Sequence, residues 1–496
     1  MIALLVATGA RASAIDEKAA LVRRATALRS NKQFAAAIEL LQQAAALDPD
    51  DLGTGLSLAE TLGWDQRFRE AERLYRQILQ RHPDSRAASA GLARMLLWQG
   101  HYAEARSRFQ NLARQQPSDL ESTEGAATAA YWAGDWTIAS REFAGILRSD
   151  PHRPFARQSL TEIASSTRGE QSLASNAVDD DQPFRSVRTE AAVMLHSDPL
   201  TQWRLAAGAY AFQNRRVDQS WTAPFLRVSN RRSFPWQRLR VDWSLGVLRY
   251  GDGATRALGG VALRRAVFEK SELVASVERR ELVATVTAQE FHPAVTSWAV
   301  GWHRDGDPRR FLAAADAGRL RFQDHNRGWF AQGYALVPVV SRARFTAAVG
   351  GSVLAQDTSE SRFSVESASS TRTGAGSFAY SFLGNYTPYW TPRNLREVRA
   401  LLNLSSDLSP VSSLKFHADA GVARDTAESF GPAAGTSPFP PAVVVYQFDR
   451  RFHPWRVSAT FSRGVAESTR LDFSVESSST AFYRARTFRA ALVRRR

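Results

Sequence analysis

Four pairs of arginines stand two residues apart in the second part of the chain: Arg238 and Arg240, Arg319 and Arg321, Arg342 and Arg344, Arg484 and Arg486. Each pair brackets an apolar residue, Leu239, Leu320, Ala343 or Ala485. Spacing of two puts both guanidinium groups on one face of an extended strand. There they could hold carboxylates or phosphates through charge-assisted, often bidentate, hydrogen bonds. The whole chain leans the same way, with 64 Lys+Arg against 49 Asp+Glu and a net charge of +15. Lysine occurs only at Lys18, Lys32, Lys270 and Lys415, so the charge is almost all arginine. Such a balance suits an anionic polymer or lipid surface. The arginines are dispersed rather than gathered in a tail, which argues against nucleic acid as a partner.

Other chemistry is thin. There is no cysteine, hence no thiol nucleophile, disulfide framework or zinc–thiolate site. The 9 histidines are scattered. His292 and His303 could meet across a hairpin, but no third ligand accompanies them. The run Asp179-Asp180-Asp181 lacks the following ligands of a calcium loop. No nucleophile elbow, phosphate loop or metalloprotease helix is present. The expectation is a protein without catalytic residues, metal or cofactor.

The arginines need strands to position them. In "WQRLRVDWSLGVLRY" (Trp236–Tyr250), Leu239, Val241, Trp243, Leu245 and Val247 alternate with Arg240, Asp242, Ser244 and Gly246. Similar alternation recurs to the end of the chain, separated by turn-rich pieces such as "YGDG" and "HRDGDP". A propeller, a sandwich or a closed barrel could give this pattern. Strands of about 10 residues, aromatics near strand ends, and arginine alternating with apolar residues favour a membrane barrel. The apolar residues would face lipid and the eight arginines the lumen, with Trp236 and Tyr250 near the two interfaces. The expectation is an antiparallel transmembrane β-barrel of about 14–16 strands over 185–496.

The first third has a different period. Pro49, Pro83, Pro117 and Pro151 recur every 34 residues. Three further columns keep phase: Phe34, Phe68, Tyr102 and Trp136; Ala37, Ala71, Ala105 and Ala139; Leu41, Tyr75, Phe109 and Phe143. Trp64, Trp98 and Trp132 form another. This is the spacing of the tetratricopeptide repeat, two helices per unit. Units fall at 18–51, 52–85, 86–119 and 120–153, with a capping helix up to 165. The alanine and tryptophan columns are expected in the core. Glu60, Arg94, Glu124 and Tyr131 map to the first helices, toward a partner-binding groove or a merely solvated face. Residues 166–184 are small and polar and read as a linker. At the start, the apolar run Ile2–Ala7 and Ala12-Ser13-Ala14 predict a secretory leader over 1–14. No apolar run reaches the roughly 20 residues of a spanning helix.

Taken together, "LGWDQRFREAERLYRQIL", "LLWQGHYAEARSRFQNLARQQP", "NYTPYWTPRNLREVRALLNL" and the final "FYRARTFRAALVRRR" resemble the exopolysaccharide export proteins of the Gram-negative outer membrane. These include the outer-membrane subunit of the cellulose synthase complex and the poly-N-acetylglucosamine porin. The chain departs from the cellulose subunit in having far fewer repeats. The resemblance implies a multidomain α + β chain, with an all-α repeat solenoid in the periplasm and a barrel in the outer membrane. It also implies periplasmic or inner-membrane synthase proteins, the polysaccharide and outer-membrane lipid as partners. The positive charge inclines the expected polymer toward an acidic one. A barrel that only anchors a periplasmic scaffold is the alternative.

Overall fold

The computed structural model describes residues 2–181, 184–215, 218–268, 270–282, 288–304, 310–374, 377–386, 389–432, 443–481 and 483–495. It divides into two compact units, Met1–Ser166 and Thr167–Arg496.

The first unit is helical: α1 (Ile2–Ser30), α2 (Phe34–Leu47), α3 (Leu52–Trp64), α4 (Phe68–Arg81), α5 (Arg86–Trp98), α6 (Tyr102–Gln115), α7 (Leu120–Ala133), α8 (Trp136–Ser149) and α9 (Pro154–Ser166). The stretch expected as a leader runs without a break into α1. Proline stands two residues beyond the ends of α2, α4, α6 and α8, where its ring forbids another helical turn. Two residues further on, Asp51, Ser85 and Asp119 cap the next helix through the amides of Thr54, Ala88 and Ser122.

The period-34 columns explain the stacking. Ala37, Ala71, Ala105 and Ala139 are wholly buried, so paired helices approach closely. The ring of Tyr75 fills the joint to the next unit over Gly91, where a Cβ would fall 2.2 Å from it. Phe109 covers Gly125 in the same way one unit later. The tryptophan column corrects the expectation. Trp64, Trp98 and Trp132 are not core residues but 44%, 41% and 40% exposed. They lie at or beside the last residue of α3, α5 and α7, where helix ends reach solvent. Each leans on the aromatic ring of the preceding unit, Phe34, Phe68 or Tyr102, at centroid distances of 6.0, 5.6 and 6.5 Å.

The second unit is built from strands: β1 (Glu170–Asp180), β2 (Phe184–Asp198), β3 (Thr201–Asn214), β4 (Gln219–Phe234), β5 (Leu239–Arg249), β6 (Thr255–Phe268) and β7 (Ser271–Glu281). Then come β8 (Ala294–Arg304), β9 (Leu312–Phe322), β10 (Arg327–Arg342), β11 (Phe345–Thr358), β12 (Phe363–Gly374) and β13 (Ser377–Tyr386). The last are β14 (Arg393–Ser409), β15 (Ser412–Pro432), β16 (Val443–Phe452), β17 (Trp455–Ala466), β18 (Thr469–Ser479) and β19 (Arg484–Arg495).

Each strand pairs antiparallel with its neighbour, and β1 pairs with both β2 and β19, which closes the ring. β12 and β13 form a separate hairpin between β11 and β14. β16 and β17 both lie along β15 and act as one strand interrupted at His453-Pro454. Proline has no N–H to give a ladder. The closed ring therefore has 16 strand positions. The segment read as a linker is largely β1. Its serines, alanines and single leucine hide the alternation, but both its edges are paired. Connections are short at the end where β1 begins (199–200, 343–344, 410–411, 467–468) and longer at the other (282–293, 359–392). Outer-membrane barrels show this asymmetry, with short turns on the periplasmic side.

Two predictions concern the repeats. Gly91→Leu should clash with Tyr75 and lower the melting temperature of the helical signal by several degrees, by about 1–3 kcal/mol of overpacking. Gly145→Leu, where a Cβ would meet only the end of the Arg148 side chain at 3.7 Å, gives the baseline. The second concerns acid. The Thr54 hydroxyl holds the Asp51 carboxyl below its usual range against the cost of burial. Burial pushes Asp119 up, but the Ser122 hydroxyl and amide and the Arg86 guanidinium bring it down further. A lowered folded-state pKa gives stability that is full above about pH 4 and is lost as pH falls through the folded value. Asp119→Asn keeps the cap and should flatten the loss of helix melting temperature below about pH 4.

Candidate functional site

Contacts between strands that are not neighbours identify the concave side of the ring. The Tyr210 hydroxyl on β3 donates to Glu281 at the end of β7, at 2.9 Å. Arg240 on β5 reaches Glu272 on β7 at 3.5 Å, past β6. Arg188 on β2 lies over the ring of Phe225 on β4 at 4.8 Å. The opposite face carries exposed apolar residues such as Leu205, Leu226, Leu245, Val261, Val300 and Val353. A closed barrel with an apolar outer face is a transmembrane barrel. Leu245 and Val247 are among those exposed residues, and the outward Trp203 and Trp243 meet edge-on at 5.6 Å.

The inner wall is a set of ion-pair clusters. Asp242 receives Arg231 at 2.6 Å and Arg240 and Arg264 at 3.4 Å; Glu272 receives Arg264 at 2.7 Å. Glu190 lies between Arg188 and Arg204. Asp419, with a fully buried side chain, gathers Arg399, Arg456 and His417. Arg399 also holds Glu397 at 2.6 Å, and Arg450 grips Asp425 with two nitrogens at 3.0 and 2.6 Å. His303 meets Asp316 at 2.8 Å. Open space of about 470 Å³ adjoins the Asp242 cluster and about 400 Å³ the Asp419 cluster.

Of the eight arginines expected in the lumen, Arg240 joins these clusters. Arg238 lies in the turn between β4 and β5, with φ of 53°, outside the strand. Arg342 ends β10, and Arg344 lies in the turn that follows. Arg319 and Arg321 face outward. Their neighbours Leu320 and Phe322 are the residues that point inward, packed with Val295 and Tyr389. Arg484 and Arg486 share the outward face of Phe488 and Leu492, while Ala485 is buried inside. Tyr250 is no interface anchor: it is buried against Phe184, Tyr210, Phe212 and Leu248. The sequence reading missed the carboxylates that organise the wall, Glu190, Asp242, Glu272 and Asp419. Their signal was an acid at the arginine's own parity in the strand, as in "RVDW".

The four repeat residues are all paired: Glu60 and Arg94 between units, Glu124 with the residue before α9, and Tyr131 with α9. Arg29 meets Glu60 at 3.1 Å, Arg94 meets Glu121 at 3.3 Å, and Arg153 meets Glu124 at 2.9 Å. The Tyr131 hydroxyl donates to Glu162. The first two pairs tie first helices of successive units together, and the other two tie α7 to the start of α9 and to α9 itself. His292 lies beside Tyr250 and Asp252, separate from His303. Among the described residues, no three His, Asp or Glu side chains are placed to hold a metal.

The tetratricopeptide repeat family model matches residues 65–129. No curated protein matches the sequence. Among solved structures, a bacterial polysaccharide outer membrane secretin aligns over 67% of this chain and 99% of its own, at 10% identity and a TM-score of 0.46. CdiB from Acinetobacter baumannii aligns over 66% and 60%, at 9% identity and a TM-score of 0.38. MamA from Desulfovibrio magneticus RS-1 aligns over 29% and 82%, at 15% identity and a TM-score of 0.28. All three are distant, and the architecture rests on the chain's own repeats and strand pairing.

The Asp419 cluster makes a sharp prediction. Asp419→Ala leaves Arg399, Arg456 and His417 without their shared anion, a loss of about 3–5 kcal/mol. The temperature at which the folded band disappears on a heat-modifiable gel should fall clearly. Ser352→Ala, on the same wall, should leave it unchanged.

Proposed function

We propose that this chain exports an exopolysaccharide across the outer membrane. The barrel is the conduit, and the repeats are a periplasmic docking scaffold for the proteins that make or deliver the polymer. The observation that carries the reading is the inner wall: polar, ion-paired and bordered by open space, inside a barrel joined to a repeat domain. A polymer moves through such a conduit by exchanging many weak contacts rather than one strong one. Hydroxyl groups of a sugar chain can bridge guanidinium and carboxylate alike. The protein binds and orients the chain and performs no bond chemistry.

The charge argument for an acidic polymer weakens on this wall. The inward arginines are matched by carboxylates, so few cations remain to hold a polyanion. The lumen therefore suits a neutral or sparsely charged polysaccharide better than a densely acidic one. The outward arginines account for much of the net positive charge instead.

Purified protein in planar bilayers should give discrete conductance steps. Arg240→Glu adds an acid to the Asp242–Glu272 cluster and should move ion selectivity toward cations, whereas Arg238→Glu, in the turn, should move it much less. In cells, deletion should trap polymer in the periplasm. Absence of any conductance together with normal polymer secretion would overturn export and leave a barrel-anchored scaffold.

A further inference from the structure

The outer wall of the barrel is not uniformly apolar. Arg396 on β14 stands directly opposite Arg424 on β15, and Arg424 stands directly opposite Arg451 on β16. All three are exposed. They share the outward face with Val398 and Val422, which are 56% and 58% exposed. The alternate residues Glu397, Arg399, Asp425 and Arg450 make the inward ion pairs. Like charges directly opposite on one face repel. Among the described residues, no carboxylate lies within ion-pair distance of these three guanidinium groups. Three acids occur on the same outer face near the row, and Glu428, four residues beyond Arg424, accepts from the Gln447 amide at 3.4 Å. Asp357 is engaged by the Asn394 amide at 3.0 Å and Arg393 at 3.6 Å. Asp449 stands opposite Thr426, two residues beyond Arg451. The Arg396 guanidinium also lies 5.3 Å over the ring of Trp329, which fixes it at the edge of the apolar band.

Beside this row the wall is hollowed: Ala355 stands directly opposite Arg396, Ala331 opposite Ala355, and Ala317 opposite Ala331. Ala315 and Ala317 on β9, Ala331 on β10 and Ala355 on β11 replace the larger outward residues found elsewhere, between Val300 on β8 and Val398 on β14. The hollow has a volume of about 1110 Å³, and Arg396, Arg424 and Arg451 stand along its rim. A fixed row of three cations beside an apolar trough complements one kind of molecule. It has a phosphate-bearing head and acyl tails. Guanidinium is the side chain best matched to phosphate. The row belongs to the end with the longer loops, so the lipid belongs to the leaflet on that side.

We propose that this patch binds a phosphorylated lipid of the surrounding membrane, its phosphates on Arg396, Arg424 and Arg451 and its acyl chains in the alanine trough. This rests on the membrane barrel and not on whether the lumen conducts.

The test uses the full chain folded in detergent micelles. Phosphorylated lipid A, the same lipid with its phosphates removed, and inorganic phosphate are the probes. Native mass spectrometry counts what stays bound. The phosphorylated lipid should be retained, and the dephosphorylated lipid should not. Millimolar inorganic phosphate should not displace the bound lipid. R396Q/R424Q/R451Q should weaken retention on the order of a hundred-fold. Ala331→Trp should weaken it with all three arginines present, by filling the trough. R321Q/R327Q removes a second outward arginine pair, also directly opposed, and should leave retention unchanged. The proposal is overturned by full retention in the triple variant, by equal binding of the dephosphorylated lipid, by displacement with phosphate, or by an equal loss in R321Q/R327Q. Heat-modifiable mobility of the triple variant separates lost lipid from a lost barrel. A wild-type protein without heat-modifiable mobility would sink the membrane reading itself.

Discussion

Everything in the second unit depends on the pairing of β1 with β19. All 11 residues of β1 have partners on β19, and all but the last also have partners on β2. Without that pairing, β2 and β19 would each present a row of unpaired N–H and C=O groups. In hydrocarbon each such group costs several kcal/mol, and no water is present to relieve it. Closure also sets the parity of every strand, because a slip of one residue would exchange the lipid face with the inner face. A strand composed mainly of small polar residues can carry this duty because its backbone, not its side chains, does the closing.

Parity then sorts the charge. Inside, the arginines meet carboxylates on the same or the next strands, and the wall becomes polar without a large net field. Outside, arginines collect near the strand ends, where a polar headgroup layer begins. The same residue type thus serves two environments, and the neighbour on the adjacent strand decides which. The first unit has a separate logic. Its helices hold by small-against-large packing at each joint, alanine beneath an aromatic and glycine beneath Tyr75 or Phe109. Ion pairs such as Arg29 with Glu60 then fasten neighbouring units at the surface.

Much of this was legible in the sequence. The period of 34 located the helices, their proline stops and the buried alanines, because each unit repeats one packing problem. Alternation located the barrel and put Leu245 and Val247 on its lipid side. What could not be read was the face of a particular arginine. The reading assumed that the apolar residue between two arginines meets lipid. Near the strand ends that fails, since Leu320 and Phe322 turn inward to pack with Tyr389 and push Arg319 and Arg321 outward. Local spacing cannot reveal that inner cluster, which joins residues of β8 and β9 to Tyr389 from a connection far along the chain. Likewise β1 escaped notice because its partner β19 lies at the other end of the chain, and the tryptophans were misplaced because helix ends, not residue type, set their exposure.

The central claim is that adjacent residues of one strand meet lipid and a polar interior in turn. The chain contains no cysteine, so single cysteines can be introduced without background. Ser244 and Leu245 on β5 are the cleanest pair, one on each face. In membranes, Leu245→Cys should react with a lipid-soluble maleimide and resist a charged one, and Ser244→Cys should react with the charged reagent. Equal reaction of both positions with the charged reagent would contradict a barrel that faces lipid.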